Sequence, residues 1–224
     1  MTLRPLVADL SVDHEIYRPV EHIAPFMPEG FLTWSPQEGE EGPNLKQVSH
    51  VILSGSTASI VHPPEWITDV ESLVRVSTAE RIPLLGICFG HQLIARTGMG
   101  KVRRTPTPEL GWFEHERQSF ENRSFRLPRH FFAYMAHLDD VTGLPTGFEV
   151  LAATPRCPVA AMAHCEAPIL GLQFHPELPL DLAIEVQREF PVMFPAYQAA
   201  VVPEFAEPRD DGLGEKLFAD FLKL

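Results

Sequence analysis

One cysteine of the sequence stands in a setting that suits nucleophilic chemistry. Cys88 lies between two glycines, so that residues 86–90 form a G-x-C-x-G motif. An apolar run at residues 82–85 precedes the motif, and residues with helical spacing follow it. This order predicts a sharp strand-to-helix turn, with the thiol at a helix N-terminus whose partial positive charge favours the thiolate. The motif alone is equally consistent with a buried, inert cysteine, because free cysteines are among the most buried residues.

A second stretch offers a base and a carboxylate. The apolar run at residues 169–175 ends in His175, and Pro176 and Glu177 follow. Proline cannot donate a hydrogen bond to a sheet, so the strand should finish near His175 and present both side chains at its end. A thiol nucleophile needs a base, and the base needs a third group that holds its ring. Cys88, His175 and Glu177 are therefore the candidate catalytic residues.

Together the two motifs resemble those of the class I (triad) glutamine amidotransferases. They are most similar to stand-alone members related to the glutaminase domain of GMP synthase. The resemblance runs from about residue 5 to residue 177, with a further match near the C-terminus. It implies a flavodoxin-like α/β fold and a small-molecule substrate, glutamine or another γ-glutamyl compound. It also implies thiol attack on the glutamine side-chain amide, release of ammonia and hydrolysis of a glutamyl thioester.

The same resemblance implies further site residues. It assigns the oxyanion hole to the backbone N–H groups of Gly55 and Phe89, and a contact with bound glutamine to Gln92. A glycine at position 55 makes physical sense, because the backbone itself must approach the substrate. Relatives often carry Ser-His-Gly-Asp where residues 136–139 read Ala-His-Leu-Asp. This departure removes a hydroxyl but leaves the triad intact, and we do not expect His137 to act as the base.

The order of elements predicts an α/β protein with a mostly parallel central sheet flanked by helices. Apolar strands alternate with helices predicted at residues 12–26 and 64–80. A smaller antiparallel β region is expected after residue 101. We expect one amidotransferase domain over residues 1–224, with an extended connection at about 178–211. That connection could cover the active site, dock a partner or be a passive excursion.

Composition narrows the possible partners and cofactors. A formal net charge of −12 argues against nucleic-acid and membrane-surface roles, and the sequence has no apolar run of membrane-spanning length. The three cysteines have neither disulfide-framework nor zinc-site spacing, and there is no phosphate-binding glycine loop. We therefore expect no metal and no organic cofactor. Reduced cysteines and the absence of an apolar signal-peptide core predict a cytoplasmic protein.

Three functions remain open at this stage. The first is a glutaminase subunit whose ammonia serves an acceptor on a separate synthase subunit, because this chain has no room for such a domain. The second is a free-standing hydrolase of γ-glutamyl amides or peptides. The third is a non-catalytic binding protein that retains the fold, although the intact triad speaks against it.

Overall fold

The computed structural model of the protein describes residues 2–118, 125–193, 208–209 and 211–224. Its helices are α1 (Pro19–Ile23), α2 (Ile67–Ala79), α3 (Phe89–Thr97), α4 (Leu180–Met193) and α5 (Leu213–Phe221). Its strands are β1 (Arg4–Ala8), β2 (Leu32–Trp34), β3 (Val48–Leu53), β4 (Leu84–Ile87), β5 (Lys101–Arg117), β6 (His130–Gly143), β7 (Phe148–Ala153), β8 (Ala161–His164) and β9 (Ile169–Leu172). None of these helices combines the length and the apolar character that a bilayer crossing requires.

The described strands form one nine-stranded sheet in the order β2-β1-β3-β4-β9-β8-β7-β5-β6. The first five strands of this order are parallel, and the remaining pairings are antiparallel. The predicted α/β class with parallel core strands is confirmed, within a sheet that is mixed. The predicted antiparallel region is the continuation of the same sheet, and it contains the long β5–β6 hairpin.

Helices cover both faces of the parallel part because apolar side chains alternate along its strands. In β1, Leu6 and Ala8 pack with α2 and α3, whereas Val7 faces the opposite side and belongs to the core that includes α5. Strand β3 repeats the pattern, with Val51 and Leu53 on one face and Ile52 on the other. Helix α4 packs instead against β5 and β6, so it covers the antiparallel part of the sheet.

The helix predicted at residues 12–26 is largely wrong. Only Pro19–Ile23 is α-helical, and a single 3-10 turn follows at Ala24–Phe26. Residues 9–18 form a loop because hydrogen bonds outside a helical pattern hold it: the Leu10 N–H donates to Ser54 Oγ at 2.9 Å, and Ser11 Oγ donates to the Tyr17 carbonyl at 2.9 Å. The connection predicted at 178–211 begins with α4, and residues 194–207 and 210 lie outside the described residues.

Strand register brings two distant parts of the sequence together. β4 and β9 are parallel neighbours, and Ile87, the last residue of β4, pairs with Leu172, the last residue of β9. The Cys88 N–H then donates to the Leu172 carbonyl at 2.7 Å. Residue 88 therefore lies beside the segment that follows β9. The carboxyl ends of β1 and β3 lie at the same edge, where open α/β sheets form their sites.

Candidate active site

Cys88 occupies a strained turn between β4 and α3. Its backbone has φ 49° and ψ −101°, a conformation that non-glycine residues seldom adopt. The two flanking glycines allow it: a Cβ at Gly86 would lie 2.5 Å from the Gly90 carbonyl carbon, and a Cβ at Gly90 would overlap the Leu53 carbonyl oxygen. The predicted strand-turn-helix geometry is thus present, and it places Cys88 at the N-cap of α3.

His175 and Glu177 form a buried pair in the segment after β9, which ends at Leu172 and not near His175 as predicted. Nδ1 of His175 lies 2.7 Å from Oε1 of Glu177, and the Glu177 side chain is fully buried. Burial alone would lower the pKa of His175, but the charges of Glu177 and Cys88 and the hydrogen bonds with both side chains raise it to about 10. The imidazole and the thiol line the same cavity and interact electrostatically, so the structure brings all three predicted triad residues into one site.

Two further groups lie beside the sulfur of Cys88. Nε2 of Gln173 lies 3.5 Å from Sγ of Cys88, and Sγ lies 3.6 Å from the Ala136 carbonyl oxygen. Gln173 is fully buried and follows β9 directly, where the Gln173 N–H donates to the Ala160 carbonyl at 2.9 Å. Sequence reasoning missed Gln173, although its place between the apolar strand and His175 could have indicated it.

Gln92 lines the cavity beside Cys88, but its amide is also used inside the protein. Its Nε2 donates to the Asp139 carbonyl at 2.8 Å and to Oε1 of Gln173 at 3.1 Å. The bond to Oε1 of Gln173 orients that side chain, so that the NH₂ group of Gln173 faces the sulfur of Cys88. A contact between Gln92 and substrate stays a prediction.

The expected oxyanion donors belong to two turns, one after β3 and one at the start of α3. Phe89 is the first residue of α3, so its N–H belongs to the turn whose N–H groups have no partner within the helix. The Gly55 backbone hydrogen-bonds to the phenol of Tyr17, an interaction that opposes the rise in the pKa of Tyr17. A Cβ at Gly55 would lie 2.9 Å from Cε1 of His175, so only glycine fits this position without displacement. The oxyanion role of this pair stays a prediction.

A solvent-open cavity leads to the sulfur. On one wall, Nε of the half-exposed Arg104 lies 3.2 Å from Oδ1 of the buried Asp139, and Ser59 Oγ donates to Oδ2 of Asp139 at 2.7 Å. Another part of the cavity wall is apolar and includes residues of α4 and of the segment before it. Its members include Ile16, Leu178, Val186 and Phe190.

His137 lines the cavity and is held in a buried ion-pair network. Its Nε2 lies 3.0 Å from Oε2 of Glu109, and its Nδ1 lies 3.1 Å from Oδ1 of Asp140. Cys157 lies beside this network. Its sulfur, a ring nitrogen of His137 and a carboxylate oxygen of Glu109 all lie within 4.8 Å of one another, close enough to hold a metal ion. Both His137 nitrogens already face carboxylates, and Thr154 Oγ1 donates to Oε1 of Glu109 at 2.8 Å. We therefore interpret the cluster as structural.

The comparisons with known proteins identify the family. The family model "Glutamine amidotransferase class-I" matches residues 27–183, well over half of the chain. This chain belongs to the class-I glutamine amidotransferases. The amidotransferase match contains Cys88, His175 and Glu177, whereas Tyr17 lies outside it.

Two curated relatives of this amidotransferase are glutamine-hydrolyzing GMP synthases. The first is one subunit of the GMP synthase of Methanocaldococcus jannaschii, which is 38% identical over 143 residues that cover 62% of this chain and 70% of that protein. The second is the GMP synthase of Thermomicrobium roseum, which is 38% identical over 133 residues that cover 57% of this chain and 23% of that protein. The chain therefore matches a small part of the longer protein.

A solved structure shows the same amidotransferase fold. A glutamine amidotransferase from Thermotoga maritima superposes with a TM-score of 0.76 and covers 100% of this chain and 97% of that chain. Its sequence identity is 19%, so the likeness concerns the fold alone.

Proposed function

We propose that the chain hydrolyses the side-chain amide of glutamine to glutamate and ammonia through a thioester on Cys88. The observation that carries this proposal is the meeting of Cys88, His175 and Glu177 at the ends of adjoining strands. A nucleophile, a base and a group that orients the base form the constellation that activates a thiol. The name of the M. jannaschii relative, which includes "glutamine-hydrolyzing", supports the same reaction.

The first half of the reaction forms the thioester. Because Nδ1 of His175 faces Glu177, Nε2 is the nitrogen left to exchange a proton with Cys88. The sulfur attacks the amide carbon, and the carbonyl electrons move onto oxygen as the C–S bond forms. His175 then gives its proton to the amide nitrogen, the C–N bond breaks, and ammonia leaves.

The second half regenerates the thiolate. His175 takes a proton from water, and the water oxygen attacks the thioester carbon. The second oxyanion collapses, the C–S bond breaks, and glutamate leaves while the proton remains on His175. In both halves the N–H of Phe89, together with that of Gly55 once it is released from the Tyr17 phenol, stabilises the oxyanion, a contribution of a few kcal/mol in other acyl-transfer sites.

The charged wall of the cavity suits the α-amino acid end of glutamine. Arg104 offers a guanidinium to the carboxylate, and Asp139 offers a carboxylate to the ammonium group. Gln92 holds Gln173 beside the sulfur and lies where it can meet the substrate amide.

The ammonia would serve an acceptor on a separate synthase subunit. The M. jannaschii relative is named as one subunit of its enzyme, and in the T. roseum GMP synthase the matched region is 23% of the protein. Both relatives support an arrangement in which glutamine hydrolysis and the use of ammonia reside in different parts of an assembly.

One observation favours a second candidate, a hydrolase of γ-glutamyl amides. Besides the charged pair, the cavity has an apolar wall that includes Ile16, Leu178 and Phe190. Such a wall suits an amide whose amine part is apolar better than it suits the NH₂ group of glutamine.

Glutamate release separates these functions, because glutamine and γ-glutamyl peptides both yield glutamate, whereas a peptide frees its amine and no ammonia. The isolated chain is assayed with glutamine, alone and with the synthase subunit of a two-subunit GMP synthase, and then with γ-glutamyl peptides that carry apolar amines. Cys88→Ala is the control in every assay. Cys88-dependent glutamine turnover that rises when the synthase subunit is added supports the proposal. Peptide cleavage without glutamine turnover supports the hydrolase, and no Cys88-dependent turnover at all rejects both.

A further inference from the structure

Tyr17 reaches the triad from the loop that follows β1. Its hydroxyl donates to Oε1 of Glu177 at 2.6 Å, although the two residues are 160 positions apart in the chain. The same oxygen lies 2.7 Å from Nδ1 of His175. The ring of Tyr17 is buried and stands edge-on to the imidazole, with the ring centroids 5.8 Å apart and the planes at 84°.

Two donors on one oxygen restrict the Glu177 carboxylate. Burial opposes its ionisation, but the charge and hydrogen bond of His175 and the hydrogen bond of Tyr17 outweigh burial and lower the pKa of Glu177. Burial, followed by the charge of Glu177, raises the pKa of Tyr17 well above its usual value. The phenol therefore remains protonated and can act as the donor.

The position of Tyr17 is itself fixed by its loop and its neighbours. Its N–H donates to the Asp13 carbonyl at 3.0 Å, and its carbonyl accepts from Ser11 Oγ at 2.9 Å. Its ring closes one side of the Gly55 turn, where an added Cβ would lie 3.3 Å from Cε1 of Tyr17. The phenol thus has one well-defined location between Gly55, Glu177 and His175.

We infer that Tyr17 is a positioning residue: its hydroxyl fixes the Glu177 carboxylate and thereby the ring orientation and tautomer of His175. This inference rests on the proposed function, because the imidazole must shuttle the proton between the sulfur and the leaving nitrogen. It concerns a residue outside the region that the family model matches.

Tyr17→Phe tests the inference, because it keeps the ring and removes only the hydroxyl. Because a hydrogen bond to a charged group is lost, kcat for glutamine should fall about tenfold to a hundredfold. KM should stay within about twofold, because the hydroxyl acts on Glu177 and not on the substrate. Tyr134→Phe is the matched control, because the buried Tyr134 hydroxyl meets no hydrogen-bond partner among the described residues. It should leave kcat unchanged.

Two further measurements make the role specific. In a Glu177→Gln background, Tyr17→Phe should have little additional effect on kcat, since its action passes through that carboxylate. The Nδ1–H proton resonance of His175, assigned by its loss in His175→Gln, should move in Tyr17→Phe and stay in place in Tyr134→Phe.

The outcomes separate this inference from the proposed function. Unchanged kcat in Tyr17→Phe, or an equal loss of kcat in Tyr134→Phe, overturns the positioning role. Absence of glutamine turnover by the unaltered chain overturns the proposed function, and the His175 resonance then decides the role of Tyr17 alone. A resonance that does not move in Tyr17→Phe overturns the inference in either case.

Discussion

Replacing His137 with glutamine is expected to reduce the loss of stability at alkaline pH. The His137 imidazole lies between Glu109 and Asp140, and all three side chains are 1% exposed. Burial alone would lower the pKa of His137, but hydrogen bonds with Asp140 and Glu109 and the charges of both carboxylates raise it from 6.5 to about 10. The folded protein therefore holds this proton more tightly than the unfolded chain does.

The sign and size of this pH effect on the free energy of unfolding follow from proton linkage. A pKa raised by folding gives stabilisation that is fully present below pH 6.5 and is lost as the pH rises through about 10. At about 1.4 kcal/mol per pH unit, the interval between these two values corresponds to about 5 kcal/mol. At neutral pH the substitution itself is costly, because removal of one partner leaves buried carboxylates uncompensated, at about 3–5 kcal/mol.

Urea unfolding across this pH interval measures the effect. The free energy of unfolding of the unaltered chain should fall with pH more steeply than that of His137→Gln, by about 1.4 kcal/mol per pH unit. His175→Gln is a positive control. The pKa of His175 is also raised to about 10, so this substitution should reduce the pH dependence of the free energy of unfolding by the same amount. Parallel stability curves for the unaltered chain and His137→Gln would refute the reasoning.

Two other substitutions test the turn and the cavity. Gly90→Ala should lower the free energy of unfolding by about 1–3 kcal/mol, because its Cβ would overlap the Leu53 carbonyl oxygen, whereas Gly42→Ala, with open space around it, should change stability by less than about 0.5 kcal/mol. Equal shifts of the urea midpoint in the two variants would contradict this. Arg104→Gln should raise KM for glutamine about tenfold and leave kcat nearly unchanged, because the guanidinium beside Asp139 is proposed to bind the substrate carboxylate. An unaltered KM in steady-state kinetics would exclude that contact.

Local sequence signals predicted the features that depend on short stretches of chain. The turn at Cys88 follows from flanking glycines between an apolar run and a helical pattern, and α2 follows from its apolar spacing. The parallel core of the sheet follows from alternating strands and helices. The presence of His175 and Glu177 at a strand end follows from Pro176, although the strand itself stops at Leu172.

The features that sequence reasoning missed depend on contacts between distant segments. Residues 12–18 were predicted as helix, but hydrogen bonds to the Ser54 side chain and within the loop hold a different conformation. Tyr17 therefore went unnoticed, since only the folded chain brings it to Glu177. The network around His137 was equally hidden, because it needs the β5–β6 register that places Glu109 opposite His137.

In the proposed reaction, glutamine passes through a thioester on Cys88, while His175 transfers the proton and Glu177 orients the imidazole. Acid quenching of the chain during turnover of isotopically labelled glutamine, followed by peptide mapping, tests it most directly. We expect hydroxylamine-sensitive label on the peptide that contains Cys88, and neither label nor turnover in Cys88→Ala. Glutamine turnover that persists in Cys88→Ala, or label found on Cys157 or Cys165 instead, would contradict it.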